Sequence, residues 1–468
     1  MLAVAGGTAA AGTALGLALY PGTALLVALV VAVGVLAVKR PAAGFVVAVG
    51  LFAFEGTFKV RLSIEGLPAP LAVTALALDV GLAAAVLGLV LHSDRSLPGR
   101  LWRGARRFER AALILLGLWL VLSLVQVPVG GDLAAGVMGL RLAQGYFAVC
   151  VLGGVLLWST GGLDRLWRGV LTGLGVVAGY AALRVAIGPS GGEKALALFG
   201  SDTPQEFGGA FRAVGSFSGA FGLASFLVPA LVLSLALALT RSDLRIPAGV
   251  VCALCLVAIL GSQVRAGLFG VVAGVAVVCA LLLTERGAGK RRAVLVAACV
   301  TGLAVIVVGG VLVTGGASDE TRERTRGLVF PTSDQSLQMR FDTWEHTVKE
   351  AIAEPLGSGL GTVGRASGRH DATYTDNSYL KVLREQGFLG ALPFIAGLIV
   401  LSVALVVGLV GAGPSAHPAA LGALGAVAAF LAMFMFAEYI EQPGKVLVWS
   451  LLGVAIGDLF LTRERAQR

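Results

Sequence analysis

Four charged side chains of the sequence are of types that could carry chemistry. Arg212 and Asp376 each precede an apolar run, and Arg265 separates two of them. Arg340 lies on an amphipathic stretch. Guanidinium groups offer forked hydrogen-bond donors that suit phosphate oxygens, and a carboxylate can act as a general base toward a hydroxyl. Together these residue types indicate a site that binds a diphosphate and activates an acceptor.

Each of these residues also has a simpler interpretation. Arg212 suits an interfacial anchor, and Arg340 suits a solvated position on a helix. Asp376 suits a helix cap, because its short carboxylate can accept from exposed backbone amides. His346 and His370 are alternative bases to Asp376.

Aromatic and glycine residues extend the set of candidates. Trp344 and Tyr379 are suited to stacking on sugar faces, although aromatic residues also belong at membrane interfaces. The segment from Gly359 through Gly361 to Gly364 matches Gly-x-Gly-x-x-Gly, but the strand and helix that a dinucleotide site requires are not predicted around it. A glycine turn that approaches an anion and an ordinary turn both remain open.

The elements that carry these residues are predicted to be membrane spans. Of 468 residues, 57% are hydrophobic and 13% are charged, which excludes the polar shell of a soluble fold. Apolar runs of about 20 residues recur along the chain. We expect an all-α polytopic membrane protein with about 12–14 transmembrane helices and one large, partly helical extracytoplasmic loop. The predicted spans are approximately 3–18, 22–38, 42–54, 71–91, 111–125, 137–158, 169–186, 214–239, 246–260, 266–283, 293–313, 387–411, 419–437 and 446–461.

Three regions follow from this pattern. Residues 1–314 form an N-terminal transmembrane bundle of about 11 spans, and residues 387–468 add about three more. Between them, residues 315–386 form the large loop. Helical spacing of apolar residues predicts an amphipathic helix from Leu337 to Ile352, and a second short helix begins near Asn377.

Lysine and arginine collect in alternate loops, which predicts that those loops are cytoplasmic. Both termini then face the cytoplasm, and Arg212, Arg265, Arg340 and Asp376 all fall at the outer boundary. Only the pair Lys59 and Arg61 departs from this pattern among the short loops. The net charge of +9 is therefore interpreted as topological, with no nucleic acid as a partner. Arg141, inside a predicted span, requires a cavity or a polar partner.

Several motifs resemble the O-antigen ligase and polymerase superfamily. The resemblance covers Arg212 to Gly390, through a stretch Arg-Ala-Val-Gly-Ser-Phe, a Ser-x-x-Arg element ending at Arg265, and an Arg-x-x-x-Trp helix that ends in Pro-Leu-Gly-Ser-Gly-Leu-Gly. Asp376 and Asn377 are followed by nine residues and Gly-x-x-Gly. Ligases show histidine where this chain has Asp376, so the motif is more similar to the polymerases.

The resemblance implies a glycosyltransferase in the bacterial cytoplasmic (inner) membrane, with its large loop outside. Its partners would be an undecaprenyl-diphosphate-linked glycan donor, a glycan or lipid-glycan acceptor and membrane lipids, without a cofactor or metal. Polymerase is favoured over ligase, and the alternative is a lipid-linked glycan flippase or polysaccharide transporter. The implied catalytic residues are Asp376, Arg265 and Arg340, and the implied substrate-binding residues are Arg212, Asn377, Trp344, Tyr379, Gly359 and Gly361.

Overall fold

A computed structural model describes residues 21–67, 69–198, 206–207, 210–285, 335–367 and 374–468. The predicted spans at residues 3–18 and 293–313 and the candidate base His370 lie outside the described residues. Each of the twelve other predicted spans overlaps a helix, but the span at 214–239 is α-helical only from Ala220 and the span at 419–437 only to Met433.

The described chain is built almost entirely of helices. The first half contains α1 (Pro21–Lys39), α2 (Pro41–Leu51), α3 (Glu55–Ile64), α4 (Pro70–Leu91), α5 (Leu97–Gly104), α6 (Arg107–Gln126), α7 (Leu133–Leu140), α8 (Tyr146–Ser159), α9 (Leu163–Ile187) and α10 (Gly191–Leu198). The second half contains α11 (Ala220–Thr240), α12 (Arg245–Ser262), α13 (Arg265–Leu283), α14 (Gln335–Ala353), α15 (Ser378–Ala412), α16 (Pro418–Met433) and α17 (Gly444–Gln467). Two short strands, β1 (Glu206–Phe207) and β2 (Ala210–Phe211), pair antiparallel before α11.

Eleven helical segments of the described residues are long and apolar enough to cross a membrane. Many large apolar side chains on these segments point outward and are exposed, a pattern that suits lipid and not water. Examples on α6 and α15 are Ile114, Val121, Leu392, Ile399 and Val403. The expected fold class, an all-α polytopic membrane protein, is thereby confirmed.

The third predicted span is too short. A single helical segment runs from Pro41 to Ile64, because a 3₁₀ turn joins α2 to α3 without a break. Lys59 and Arg61, predicted to lie in a loop, are therefore on a helix. Lys59 lies 2.5 Å from Glu55, and Arg61 lies 3.1 Å from Glu65. These carboxylates offset the two positive charges that departed from the loop pattern.

Helix α17 forms the centre of the bundle, and nearly all of its residues up to Leu461 are buried. It packs closely against α8 because glycines face each other at the crossing. A Cβ atom added to Gly154 would lie 2.0 Å from the carbonyl oxygen of Ser450, and one added to Gly453 would lie 2.1 Å from that of Val151. Small residues allow two backbones to approach in this way.

Arg141 has the polar partners that its position in a span requires. It begins a five-residue π-helical segment between α7 and α8. Its guanidinium group contacts the carboxylate of Asp79 on α4 and donates to the hydroxyl of Tyr146 at 3.1 Å. The Tyr146 hydroxyl donates in turn to Asp79. This triad compensates for the cost of a charge among membrane helices.

Candidate active site

The connection between α16 and α17, residues 434–443, lies at the centre of the candidate site. Proline at the end of this segment and two glutamates within it interrupt the apolar sequence. Its backbone carbonyls accept hydrogen bonds from other parts of the chain: Phe436 from Arg340, Met435 from Asn377, and Ala437 from Ser378. We refer to residues 434–443 as the central connection.

Arg212 is buried and bound to the end of α12. Its Nε donates to the carbonyl of Ser262 at 3.0 Å, and the amide of Ala213 donates to the carbonyl of Gly261 at 3.0 Å. Its guanidinium carbon lies 5.4 Å from the ring centre of Phe221. The anchor interpretation of Arg212 is therefore insufficient, because the side chain is directed into the protein.

Arg265 follows the same turn. Gln263 adopts a left-handed conformation (φ 53°) at the end of α12, and α13 begins two residues later at Arg265. Four residues further along α13, Phe269 stacks on Phe436 with ring centres 4.9 Å apart. The first turn of α13, including the half-buried Arg265, thus lies beside the central connection.

Arg340 joins α14 to the same connection. Its Nη1 donates to the carbonyl of Phe436 at 2.9 Å, and its Nε lies 3.8 Å from Oδ2 of Asp376. The second distance describes an ion pair without a direct hydrogen bond. The predicted amphipathic helix is confirmed, and its Arg340 is directed to the site instead of to solvent.

Asp376 does not cap α15, contrary to its simpler interpretation. The cap is Asn377, whose Oδ1 accepts from the amides of Tyr379 and Leu380 at 2.9 and 3.2 Å. Asp376 has a left-handed backbone (φ 48°), and its side chain is 46% exposed. Its carboxylate is therefore open to a reactant while it faces Arg340.

Tyr439 lies in the central connection near both Arg212 and Arg340. Burial raises the pKa of its hydroxyl far above the usual range, and the positive charges of Arg340 and Arg212 act in the opposite direction. Its ring centre is 6.0 Å from that of Phe221, the residue that Arg212 covers. Two guanidinium groups that are far apart in sequence therefore flank one buried residue.

Glu438 holds the backbone beside Asp376. Its Oε1 accepts from the amide of Thr375 at 2.8 Å and from the hydroxyl of Thr375 at 2.9 Å. The carbonyl oxygen of Asn377 also lies 2.9 Å from that hydroxyl, so the two acceptors share its one hydrogen. Burial raises the pKa of Glu438 to about 7, against the effect of Lys381. Glu438 thus positions the residues on both sides of Asp376.

A buried cluster of charged side chains lies near Glu438. Lys381 on α15 lies 2.9 Å from Oε1 of Glu385 and 3.1 Å from Oε1 of Glu441. Its Nζ also donates to the carbonyl of Val363 at 2.5 Å. The cluster joins α15, the central connection and the glycine segment that follows α14. Removal of one member of such a group is costly, because it leaves an uncompensated buried charge.

Gly359 and Gly361 both have left-handed backbones, with φ values of 95° and 74°. The amide of Gly359 donates to the carbonyl of Glu385 at 2.9 Å, and the amide of Gly361 donates to its carboxylate at 3.0 Å. The anion that this turn approaches is thus a buried side chain of the protein. The geometry favours a positioning role for both glycines, and their part in substrate binding stays a prediction.

An apolar cavity of about 430 Å³ adjoins the site between α15 and α16. Asn377 and Tyr379 lie at one end of its lining, and Ile395, Leu398 and Ile399 continue it along α15. The hydroxyl of Tyr379 donates to the carbonyl of Leu431 at 2.9 Å. Trp344 packs against Phe341 instead, with ring centres 5.4 Å apart. The two aromatic candidates therefore have different surroundings.

The alternative base His346 is 71% exposed and pairs with Glu350 on α14 at 3.3 Å. Its imidazole is directed outward on α14, whereas the carboxylate of Asp376 faces Arg340. Within the described ranges, no cluster of three or more His, Cys, Asp or Glu side chains could hold a metal ion.

Sequence reasoning missed the central connection and the buried charge cluster. Glu438, Glu441 and Lys445 lie in one eight-residue break between two apolar runs, which was the available signal. Lys381 and Glu385 gave a weaker signal, because a pair at this spacing on an amphipathic helix is usually solvated.

The fold and site define a polytopic membrane protein in which arginine and aspartate side chains meet at helix ends. Residues 250–395, about a third of the chain, match the family described as O-Antigen ligase. This segment contains Arg265, Arg340 and Asp376, and the resemblance to the O-antigen ligase and polymerase superfamily is confirmed by it. No match to a curated protein was found.

Proposed function

We propose that this protein is a glycosyltransferase that transfers or polymerises glycan units carried on undecaprenyl diphosphate. Its site would act on the outer face of the bacterial cytoplasmic membrane. The observation that carries the proposal is the meeting of Arg212, Arg340 and Asp376 around one interhelical connection. Cations for a diphosphate and a base for a hydroxyl are the two requirements of this transfer.

In the proposed reaction, the acceptor hydroxyl gives its proton to the Asp376 carboxylate. Its oxygen forms a bond to the anomeric carbon of the donor glycan as the bond from that carbon to the diphosphate oxygen breaks. The departing polyprenyl diphosphate keeps the electron pair. Arg212, Arg265 and Arg340 stabilise the negative charge that grows on it.

The buried Arg212 and the more exposed Asp376 suit different roles in this reaction. Arg212 is buried and already oriented by Ser262 and Phe221, so little side-chain freedom is lost when it binds a phosphate. Asp376 is the more exposed group, as an incoming acceptor requires. Its left-handed backbone, held by the Thr375 contact to Glu438, directs the carboxylate away from the cap of α15.

The apolar cavity beside Asn377 and Tyr379 suits the other end of the donor. A polyprenyl chain needs a surface that replaces lipid contacts, and the cavity lining is largely aliphatic. Asn377 and Tyr379, at the end of this lining, would then lie between the lipid and the sugar.

The aspartate at position 376 favours a polymerase over a ligase, because it stands where similar ligases have histidine. The length distribution of carrier-linked glycans in cells with and without the protein tests this choice. We expect single repeat units to accumulate on the carrier when the protein is absent. Long chains that remain on the carrier would identify a ligase, and an unchanged distribution would contradict both activities.

The alternative function is that of a lipid-linked glycan flippase or polysaccharide transporter. Transporters bind their substrates near the membrane midplane, whereas the residues of this site lie at the starts of α13 and α17 and at the end of α16. Purified protein in detergent separates the two functions, because a transferase forms new glycosidic bonds without a sealed membrane and a flippase does not.

A further inference from the structure

A second basic site lies at the opposite end of α17 from the central connection. Lys445 and Arg463 are 18 positions apart on this helix, or about 27 Å at 1.5 Å per residue. At the far end, a cavity of about 460 Å³ is bordered by five arginines. They are Arg103, Arg106, Arg107, Arg110 and Arg463. We refer to this feature as the arginine cavity.

The positive charge of the arginine cavity is only partly balanced. Glu109 is fully buried and binds Nη1 of Arg463 at 2.6 and 2.7 Å. Among the residues that the structure describes, Arg106, Arg107 and Arg110 have no carboxylate within 4.0 Å. Three guanidinium groups at the cavity thus lack an anionic partner within the described protein.

The cavity is formed by a fixed corner of the backbone. Helix α5 ends at Gly104, where an added Cβ would lie 2.0 Å from the carbonyl oxygen of Phe460 on α17. Ala105 is extended, and the Glu109 side chain accepts from the amide of Arg106 at 2.6 Å. These contacts hold α5 and the start of α6 against α17, so the arginines are presented by a defined surface.

Exposed aromatic side chains lie close to the arginines of the cavity. Phe108 on the first turn of α6 is 75% exposed, and Trp102 is 46% exposed with Arg110 lying over its ring at 5.3 Å. Exposed aromatic side chains are typical of the membrane interface. A ligand with an apolar part and a phosphate could contact both these rings and the arginines.

We propose that the arginine cavity binds the phosphate headgroup of an anionic phospholipid. Arg106, Arg107 and Arg110 would contact the phosphate, and Phe108 would contact the start of an acyl chain. Basic pockets between membrane helices bind such headgroups through the same chemistry. The positive-inside pattern predicts that this face is cytoplasmic, so the bound lipid would stabilise the bundle from the side opposite the candidate active site.

Native mass spectrometry and thermal unfolding of the purified full chain test the proposal. Phosphatidylglycerol and phosphatidylcholine are the lipid probes, and inorganic phosphate and glycerol phosphate are the soluble ones. We expect phosphatidylglycerol alone to remain bound and to raise the melting temperature. In the variant R106Q/R107Q/R110Q, its affinity should fall at least about tenfold, since each basic side chain near the headgroup contributes to binding.

The matched control is R95Q/R165Q/R168Q, which removes three arginines that do not line the cavity. It should bind phosphatidylglycerol like the unchanged protein. If the cavity variant does not fold, R107Q alone replaces it, because Arg107 is exposed at the start of α6. Equal losses in the control and cavity variants would overturn the cavity as the site. Equal binding of phosphatidylcholine, or equal protection by inorganic phosphate, would overturn an anionic lipid as its ligand.

Discussion

Thr375 donates both its amide and its hydroxyl to one oxygen of Glu438, at 2.8 and 2.9 Å. This contact fixes the residue immediately before Asp376. It also joins the central connection to the loop that precedes α15. The proposed base is thus positioned by a residue 62 positions away in sequence.

Glu438 should make stability depend on pH. Its pKa is about 7 in the folded protein, chiefly because of burial, against an ordinary value of 4.5. As pH rises from 4.5 to 7, the unfolded chain releases this proton first, so the stabilisation present at low pH is lost. The free energy of unfolding falls by on the order of 3 kcal/mol over this pH range.

Glu438→Gln keeps an acceptor for Thr375 and cannot ionise. We expect its melting temperature to fall less than that of the unchanged protein between pH 5 and pH 8, measured by thermal unfolding in detergent. Glu345→Gln is the control, because Glu345 is exposed on α14, where it pairs with Lys349. An identical pH dependence in all three proteins would refute this role of Glu438.

Arg265→Ala should abolish transfer while the protein still reaches the membrane, because the proposed reaction needs this charge beside the leaving diphosphate. Transfer is measured with lipid-linked donor and protein purified from membranes. Arg245→Ala is the matched control, since Arg245 also begins a helix but lies at the opposite end of α12. Full transfer by Arg265→Ala would count heavily against the proposed mechanism.

Gly361→Ala should destabilise the protein. The residue has a positive φ of 74°, and an added Cβ would lie 2.0 Å from the carbonyl oxygen of Ala135. Backbone strain of this kind costs about 1–3 kcal/mol before the clash is counted. Thermal unfolding provides the measurement, and Gly173→Ala is the control because its added Cβ meets no atom within 4 Å. Equal melting temperatures for the two variants would exclude the positioning role.

Asp79→Ala should lower the melting temperature, because it leaves Arg141 without its carboxylate among membrane helices. The double variant Asp79→Leu with Arg141→Leu should recover much of the loss, since it removes both charges together. A double variant less stable than Asp79→Ala would show that the pair is not the reason for the loss.

The sequence predicted the spans well because each needs about 20 apolar residues, a signal that neighbouring elements do not alter. The amphipathic helix from Leu337 to Ile352 was equally clear and is part of α14. The span at residues 42–54 was predicted too short, since Lys59 and Arg61 resembled a loop until their partners Glu55 and Glu65 were known.

The site was predictable only in part. Motifs identified Arg212, Arg340 and Asp376. The position of Tyr439 near the two arginines depends on how α16 and α17 pack, and no local pattern encodes it. The cap of α15 shows the same limit. Asp376 and Asn377 are both good capping residues. In the structure Asn377 is the cap, and Glu438 holds the nearby Thr375 by a hydrogen bond that the local sequence does not reveal.

Asp376→Asn provides the most direct test of the central claim. Asparagine tolerates the left-handed backbone at this position and keeps the shape of the side chain, but it cannot accept the proton. With purified protein and lipid-linked donor, we expect transfer to fall by about 10²–10⁴-fold at an unchanged melting temperature. Asp342→Asn, an exposed change on α14, should retain full activity. Undiminished transfer by Asp376→Asn would contradict the assignment of Asp376 as the base.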